Sequence, residues 1–394
     1  MATAVLDLDL ARLPLEITEL KGYDRALILI RFHGRPVGKA LLPVNRGHIT
    51  SAQLRQGLIS AAGFPLWEHW LHEYLGWEEA RLPDRSPERA SVAVCTRDRP
   101  ADLQRCLDAL IRMPDDGQEL IVVDNCPSTD ATRRLVESYA QVRYVREDEP
   151  GLDAARNRAL REARYPFVAF TDDDATPDAG WLRALLRNFT DPQVLCVTGL
   201  TMPAELETDA QEWFELYNSF ARGFKRTVFN GSKSNPFAAG NIGAGVNMAL
   251  RRSTLENLGP FDEALDAGTP THSGGDHEMF SRILATGYTI VYEPAALSWH
   301  RHRRTQEELR RTVYGYGVGV YAAWTRSLLV EREFGVAKSA VNWLRYDQMP
   351  KLARSLRRSE GTRLDLVLAE MLGCARGPSA YLASRRRARS RAKP

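Results

Sequence analysis

The strongest constraint in this 394-residue sequence is an alternation of short apolar runs and helical segments that begins near Ala90. The apolar runs are rich in Val and Ile, and the segments between them repeat apolar residues every three or four positions. This alternation predicts an α/β fold, a mostly parallel sheet with helices on both faces. The predicted strands are Ser91–Cys95, Leu120–Asp124, Val142–Val145, Phe167–Thr171, Val194–Thr198 and Tyr288–Tyr292; the predicted helices are Leu103–Arg112, Asp130–Tyr139, Asp153–Arg164 and Gly180–Asn188.

Polar side chains follow three of these strands at the point where each strand ends. Thr96, Arg97 and Arg99 follow the first, Asp124 ends the second, and Asp172–Asp174 follow the fourth. Ligands of such sheets bind beyond the carboxyl ends of the strands. Three adjacent carboxylates repel one another unless a cation or hydrogen-bond donors share the site, and hard divalent cations prefer oxygen ligands. The alternative is an acidic helix start, stabilised by free N–H groups; the position after a buried strand favours the ligand site.

Other classes of protein are disfavoured by motifs that are missing. No GxGxxG or GxxxxGK[ST] follows the first strand, which weakens a dinucleotide-dehydrogenase or P-loop interpretation, and Gly240–Leu250 lacks the lysine of a phosphate-binding loop. Five scattered cysteines indicate reduced thiols in a cytoplasmic protein rather than a disulfide framework. The longest apolar-looking stretch, Val313–Val330, contains Arg326 and is too short to span a bilayer.

The sequence before the alternation predicts a small accessory module. Arg25–Val44 has the pattern of a hairpin, with a turn at His33–Pro36, and Ser51–Leu75 has helical periodicity with a break expected near Gly63–Pro65. After the alternation, helical segments dominate. The expected divisions of the chain are an N-terminal accessory module (1–88), a catalytic α/β domain (89–310) and a helical C-terminal extension (311–394).

Charge is distributed unevenly along the chain. The formal net charge is +3, yet Lys351–Pro394 alone contains 12 basic and 3 acidic residues. Such a basic end predicts contact with phosphates or an anionic membrane surface. The run Arg385–Lys393 is either a peripheral contact with anionic lipid at the inner face of the membrane or a solvated tail. No nucleic-acid partner is expected.

Seven blocks in order over residues 90–310 resemble the family 2 glycosyltransferases, which have the GT-A fold. They are SVAVCTRDRPADLQRCLDAL, ELIVVDNCPSTDAT, PGLDAARNRAL, FVAFTDDDATPDAGWL, GAGVNMALRRSTLENLGPFDEAL, GGDHEMFSRILATGYTIVYEP and SWHRH. The resemblance implies an inverting enzyme that moves a sugar from a nucleotide-diphospho-sugar, with UDP- or dTDP-sugars favoured, to an acceptor hydroxyl. It also implies a requirement for Mg²⁺ or Mn²⁺.

The resemblance assigns roles to individual residues. Asp174 and His300 match the metal-binding positions, with His302 as the competitor of His300. Asp276 matches the general base; Gly275 stands here where many members have Glu, so that role rests on Asp276 alone, with His277 and Glu278 as neighbours. The positions that match nucleotide-binding or acceptor-contacting residues are Thr96, Arg97, Arg99, Asp124, Arg156, Asn157, Asp172, Asp173 and Asn247.

Alternatives to this function remain open from the sequence. A retaining glycosyltransferase or a nucleotidyltransferase would use related carboxylates on a similar scaffold. A third hypothesis is a non-catalytic module that binds a membrane through its basic end. The full set of carboxylates at the strand ends argues against it. The acceptor is left open between a polysaccharide, a glycolipid and a secondary metabolite.

Overall fold

A nine-stranded mixed sheet forms the centre of the molecule. The structure is a computed structural model that describes residues 2–76, 82–86, 88–231, 234–357 and 363–391. A three-stranded sheet packs on one side of the large sheet, and helices from the C-terminal part of the chain pack on another. This arrangement confirms the predicted α/β fold with a small N-terminal α+β module and a helical C-terminal extension.

The N-terminal module contains the predicted hairpin. Its elements are β1 (Thr3–Asp9), a short 3₁₀ helix (Leu10–Arg12), β2 (Arg25–Phe32), β3 (Arg35–Pro43) and α1 (Ser51–Leu75). Strand β2 pairs in parallel with β1 and antiparallel with β3. The expected break near Gly63 is wrong, because α1 continues through Pro65. Burial of Leu54, Leu58 and Ala62 in the core of the module stabilises the helix despite the N–H that proline lacks.

Strand β2 is apolar along its length because both of its faces are buried. Ile28 and Ile30 face the core beneath α1. Leu27 and Leu29 point the other way and pack against Leu200 and its neighbours on the large sheet. A strand that is buried on both faces is expected to be apolar along its whole length. In β2 the second face is buried by the large sheet.

The large sheet has the order β10-β12-β9-β11-β7-β4-β5-β6, with β8 paired to β12. Six of its nine strands run in the same direction, which confirms the mostly parallel prediction. The strands are β4 (Ala90–Thr96), β5 (Glu119–Asn125), β6 (Val142–Glu147), β7 (Phe167–Asp172), β8 (Ala175–Pro177), β9 (Val194–Pro203), β10 (Thr227–Asn230), β11 (Asn247–Arg251) and β12 (Thr289–His300).

Helices cover both faces of this sheet. They are α2 (Pro100–Arg112), α3 (Ala131–Glu137), α4 (Leu152–Glu162), α5 (Trp181–Leu186), α6 (Asp209–Asn218), α7 (Thr254–Leu258) and α8 (Gly275–Ala285), with a 3₁₀ helix at Pro236–Asn241. The three aspartates were expected to lead into a helix. They lead instead into β8, because residues 175–177 form a ladder with the end of β12, and helix α5 begins only at Trp181.

The C-terminal part is a helical layer. It consists of α9 (Gln306–Arg326), a π-helical turn (Ser327–Glu331), α10 (Gly335–Trp343), a second π-helical turn (Leu344–Gln348), α11 (Met349–Leu356) and α12 (Leu364–Arg391). The glycines of α9 allow close packing: a Cβ at Gly317 would lie 2.2 Å from the carbonyl oxygen of Glu370. None of the described helices has the length and apolarity needed to cross a bilayer.

Candidate functional site

Strand register brings the predicted polar residues to one edge of the sheet. In the parallel ladders Thr96 pairs with Asp124, and Cys95 pairs with Asp172. The antiparallel ladder between β8 and β12 places Ala175 opposite His300, so that His300 lies beside the three aspartates. Residues that are up to 200 positions apart in sequence therefore share one edge.

A cavity of about 420 Å³ opens at this edge, and it is called the first cavity here. Acidic and basic side chains are mixed along its wall, so that it suits a ligand carrying both negative charge and hydrogen-bonding groups. The predicted site residues that line this cavity are Thr96, Arg97, Arg99, Asp172, Asp173, Asp174, His300 and His302. Asn125, which follows Asp124 at the end of its strand, also lines the cavity, as do Phe220, Arg311 and Tyr316, which no sequence pattern indicated.

The three aspartates differ in their partners and therefore in their charge. Arg99 donates to Asp173 Oδ1 at 2.6 Å and to Asp174 Oδ2 at 2.9 Å, and Thr96 donates to Asp173 Oδ2 at 2.7 Å. Burial, with the neighbouring charge of Asp174, raises the pKa of Asp173 to about 7. Burial likewise raises the pKa of Asp172 to about 6.

Asp174 behaves in the opposite way. Burial alone would raise its pKa, but the contact with His300 and the positive charges of Arg99 and Arg303 hold the pKa of Asp174 well below its usual range. Arg303 lies 3.2 Å from Asp174 Oδ2. Asp174 is thus the member of the triplet that keeps its charge most firmly, which is what a ligand of a divalent cation requires.

The donor set fits a divalent cation in part. Asp174 Oδ1 and His300 Nε2 face each other at 3.3 Å, so that an oxygen and a nitrogen ligand are aimed at the same place. Among the residues the structure describes, no three His, Cys, Asp or Glu side chains form a ready metal shell. The protein would therefore contribute these two ligands, and the remainder would come from substrate and water.

A chain of polar contacts runs from His300 to the N-terminal module. His300 Nδ1 lies 3.0 Å from His302 Nδ1, and His302 Nε2 lies 3.5 Å from Glu215. Lys39 of β3 donates to Glu215 at 2.8 Å. His302, the competitor of His300 in the sequence, therefore orients that ring instead of facing Asp174. The contact with Lys39 had no signal in the sequence, because it joins residues 176 positions apart.

Asp124 does not itself line the first cavity, although its neighbour Asn125 does. Asp124 is fully buried at the end of β5, and the hydroxyl of Tyr144 donates to its Oδ2 at 2.9 Å. Its Oδ1 has no hydrogen-bond partner among the described residues, and burial raises its pKa. A buried acceptor without a partner is costly, so Asp124 suits a ligand that brings an N–H donor, and Asn125 beside it reaches the cavity wall.

A second cavity of about 830 Å³ adjoins the first. Leu152, Asp172, Phe220 and Tyr316 line both, so these four residues form the boundary between them. The second cavity has an aromatic wall, much of it from the C-terminal helices: Tyr217, Phe220, Phe237, Tyr316, Trp324, Trp343 and Tyr346. Two adjoining cavities allow two substrates to meet at their boundary.

Asp276 lies in the second cavity with both carboxylate oxygens oriented by the backbone. The N–H of Gly245 donates to Oδ2 and the N–H of His277 donates to Oδ1, each at 2.7 Å. Asp276 begins α8, where free N–H groups favour an acid. Burial lowers the pKa of His277, and its Nε2 has no partner among the described residues. Glu278 is buried between Arg282 and Arg326 and is structural.

Arg156 lines the second cavity rather than the first, where the nucleotide was expected. Its Nη1 bridges Asp153 at 2.9 Å and Asp266 at 2.7 Å. Asp153 also explains Gly275: a Cβ at that position would lie 2.0 Å from Asp153 Oδ2. The carboxylate of Asp153 thus occupies the space that a side chain at 275 would need.

Two residues predicted to contact substrates are turned away from both cavities. Asn157 bonds the backbone of Phe261 and the side chain of Glu263, which ties α4 to the loop before α8. Asn247 is fully buried, donates to two backbone carbonyls and accepts from Trp181. Their side-chain hydrogen bonds are made inside the fold, and neither side chain lines a cavity, so the substrate contacts of both residues stay predictions from the resemblance.

The fold of this chain is similar to that of solved GT-A glycosyltransferases. In a comparison with solved structures, the mannosyltransferase PcManGT from Pyrobaculum calidifontis, determined with GDP-Man and Mn²⁺, aligns with a TM-score of 0.51 and 18% identity. The alignment covers 80% of this chain and 94% of that protein. At this level of identity the likeness shows the fold.

In the sequence comparisons, residues 91–259 match the family model described as Glycosyl transferase family 2. A pre-mycofactocin glycosyltransferase of Mycobacterium tuberculosis is 28% identical over 242 residues, which cover 59% of this chain and 48% of that protein. The chain thus spans about half the length of that relative. Glycosyltransferase AglE of Haloferax volcanii is 26% identical over 72% of this chain and 90% of its own length.

Proposed function

We propose that this protein is an inverting, metal-dependent glycosyltransferase that transfers a sugar from a nucleotide-diphospho-sugar to an acceptor hydroxyl. The observation that carries the proposal is the meeting of two cavities at Asp172, with Asp174 and His300 on one side and Asp276 on the other. Transfer with inversion needs the leaving group and the attacking hydroxyl on opposite faces of the sugar. The two cavities provide those separate positions.

The first cavity would hold the donor. Asp174 and His300 would bind Mg²⁺ or Mn²⁺, which neutralises charge on the departing diphosphate. Arg303, beside Asp174, and the half-exposed Arg97 add positive charge along the same wall. The unpartnered Oδ1 of Asp124 supports a base that presents an N–H, as uracil and thymine do at N3, so UDP- and dTDP-sugars are the proposed donors.

The second cavity would hold the acceptor. Asp276 takes the proton of the acceptor hydroxyl as its oxygen attacks the anomeric carbon, and the bond from that carbon to the diphosphate oxygen breaks on the opposite side. The backbone N–H groups of Gly245 and His277 fix the carboxylate in one orientation. A fixed base costs less entropy to bring into line than a mobile one.

The test is a thermal-shift screen combined with a transfer assay. UDP, dTDP and GDP, with and without their sugars and Mn²⁺, are added to the wild type; GDP is included because the mannosyltransferase of the same fold was determined with GDP-Man. We expect a metal-dependent rise in melting temperature with at least one of them. No shift with any nucleotide and metal would contradict the proposal.

Two variants separate binding from chemistry. Asp276→Asn is expected to keep the donor shift and lose transfer by about 10²- to 10⁴-fold, the usual contribution of a general base. Asp174→Ala is expected to lose the metal-dependent part of the shift. Asp191→Asn, at an exposed site outside both cavities, is the control. Full transfer by Asp276→Asn removes that residue from the mechanism, and the anomeric proton coupling of the product distinguishes inversion from retention.

A further inference from the structure

The segment Phe334–Arg357, here called the docking segment, consists of α10, the following π-helical turn and α11. It packs on the body of the protein through one face only. Val336, Gln348 and Ser355 are buried on that inner face, and Trp343 joins the aromatic cluster around Trp324 on the wall of the second cavity. The opposite face is left uncovered by the rest of the described chain.

The outer face carries large apolar side chains that solvent reaches. The exposed fractions are 75% for Phe334, 62% for Val341, 45% for Leu344, 48% for Met349 and 63% for Leu356. Single exposed apolar residues are ordinary, but five within 23 residues on one helical segment form a surface that soluble monomers seldom leave uncovered. This face therefore has a partner to bind.

The charge of the same segment indicates the chemistry of that partner. Lys338, Arg345, Arg354 and Arg357 are exposed. The only acidic residue of the segment is Asp347, which pairs with Lys351 at 2.8 Å, so the segment as a whole carries five basic residues and one acidic one. Apolar side chains flanked by cations are the pattern of a helix that lies in the interface of an anionic bilayer.

We propose that the outer face of the docking segment binds an anionic membrane surface. Its apolar side chains would enter the boundary between headgroups and acyl chains, and its basic side chains would contact lipid phosphates. A second copy of the chain fits less well, because a two-fold interface would bring this positively charged face against itself. Charge complementarity thus selects the lipid surface.

This position has a consequence for the acceptor. Trp343, Tyr346 and Lys351 of the docking segment also line the second cavity. With the outer face on the bilayer, the second cavity would open beside the headgroups, where it could receive the polar end of a membrane-bound amphiphile. This step rests on the proposed glycosyl transfer, whereas the membrane contact itself does not.

The contact differs from the one expected of the basic C-terminus. Helix α12 continues through the basic run to Arg391, and Ala392–Pro394 lie outside the described residues. That run has no large apolar side chain of its own after Leu382. It can attract phosphates, but the docking segment supplies the apolar surface that membrane insertion requires.

Co-sedimentation with vesicles tests the proposal. The probes are vesicles of phosphatidylcholine with phosphatidylglycerol and vesicles of phosphatidylcholine alone. We expect the wild type to bind the first more strongly than the second. The triple variant Val341→Ser, Leu344→Ser, Met349→Ser leaves net charge unchanged and should reduce binding to the anionic vesicles at least about tenfold, because it removes apolar surface that would be buried in the bilayer.

The matched control replaces three exposed apolar residues elsewhere, Leu15, Leu216 and Val228, by serine and should bind as the wild type does. The melting temperature of each variant, and its rise when nucleotide is added, verify that the variant is folded. Vesicle binding requires no turnover, so its result does not depend on whether the transferase proposal is correct. The proposal is contradicted if the wild type does not bind anionic vesicles, or if the docking-segment variant binds them as well as the control variant does. It is also contradicted if truncation after Ser384 alone abolishes binding. A wild-type dimer that becomes monomeric in the docking-segment variant, as measured by light scattering, would show that the outer face binds a second copy instead.

Discussion

At the scale of single residues, the site depends on an unequal division of charge among three neighbouring aspartates. Arg99 contacts both Asp173 and Asp174, yet burial leaves Asp173 with a pKa of about 7 while Asp174 is held charged by His300 and two arginines. Three full negative charges in so small a volume would oppose folding. Protonation of Asp173 relieves that repulsion and leaves the charge of Asp174 for a cation.

This division predicts a specific pH dependence of stability. The pKa of Asp173 rises from 3.8 in the unfolded chain to about 7 in the folded protein, so its contribution to stability is complete below about pH 4 and is lost as the pH rises to 7. Asp173→Asn removes this loss. In urea unfolding with EDTA, wild type and variant should agree near pH 4 and diverge by on the order of 1 kcal/mol per pH unit above it, with the variant more stable.

The exposed Asp191→Asn serves as the control, and its stability should follow that of the wild type at every pH. If the wild type and Asp173→Asn lost stability in parallel between pH 4 and 7, Asp173 would titrate normally and the repulsion would be relieved by other means.

At the scale of secondary-structure elements, glycine decides how the C-terminal helices approach one another. Gly317 of α9 faces the backbone of α12 at Glu370, and Gly373 of α12 faces the backbone of α9 at Tyr314, where a Cβ would lie 2.2 Å from the carbonyl oxygen in either case. Backbone atoms cannot move aside as the end of a side chain can. Tyr316, which lines both cavities, directly precedes Gly317 in α9.

Gly317→Ala is therefore expected to destabilise the protein by about 1 to 3 kcal/mol through overpacking. Gly63→Ala in α1 is the matched control, since Gly63 is also inside a helix but a Cβ there would meet only Ile59, at 3.9 Å. That change should stabilise by roughly 0.5 to 1 kcal/mol, because alanine favours a helix. Urea unfolding measures both, and a neutral Gly317→Ala would show that the two helices can separate without cost.

At the scale of the whole molecule, the N-terminal module is joined to the catalytic sheet rather than tethered to it. Leu27 and Leu29 share an apolar cluster with Leu200. Glu212 of α6 accepts from Thr3 and Arg25 of the module at 2.5 and 2.9 Å. The boundary at residue 88 stays a prediction. The contacts across this interface couple the stability of the N-terminal module to that of the large sheet.

Leu29→Ala tests that coupling. Leu29 is fully buried, and the truncation should cost about 2 to 5 kcal/mol. We expect one unfolding transition that moves as a whole when followed both by calorimetry and by tryptophan fluorescence. Leu15→Ala, at a position 79% exposed, should change stability by less than about 0.5 kcal/mol. Two separate transitions, with only one shifted by Leu29→Ala, would show instead that the module unfolds independently.

The alternation of strands and helices after Ala90, and the polar residues that end the strands, could be predicted from the amino-acid sequence alone. Both are local properties, because side-chain periodicity and the ends of strands depend on residues that are close together in the sequence. Thr96, Asp124 and Asp172 meet at one edge because parallel strands bring their carboxyl ends together.

The contacts that those side chains make could be seen only in the folded protein. The ladder of β8 with β12 places His300 at Asp174, and α12 packed on α9 helps complete the second cavity. The same level of structure turns Asn157 and Asn247 inward and places Asp153 where a side chain at 275 would lie. These outcomes depend on packing between residues tens to hundreds of positions apart, and local sequence patterns do not encode such distances.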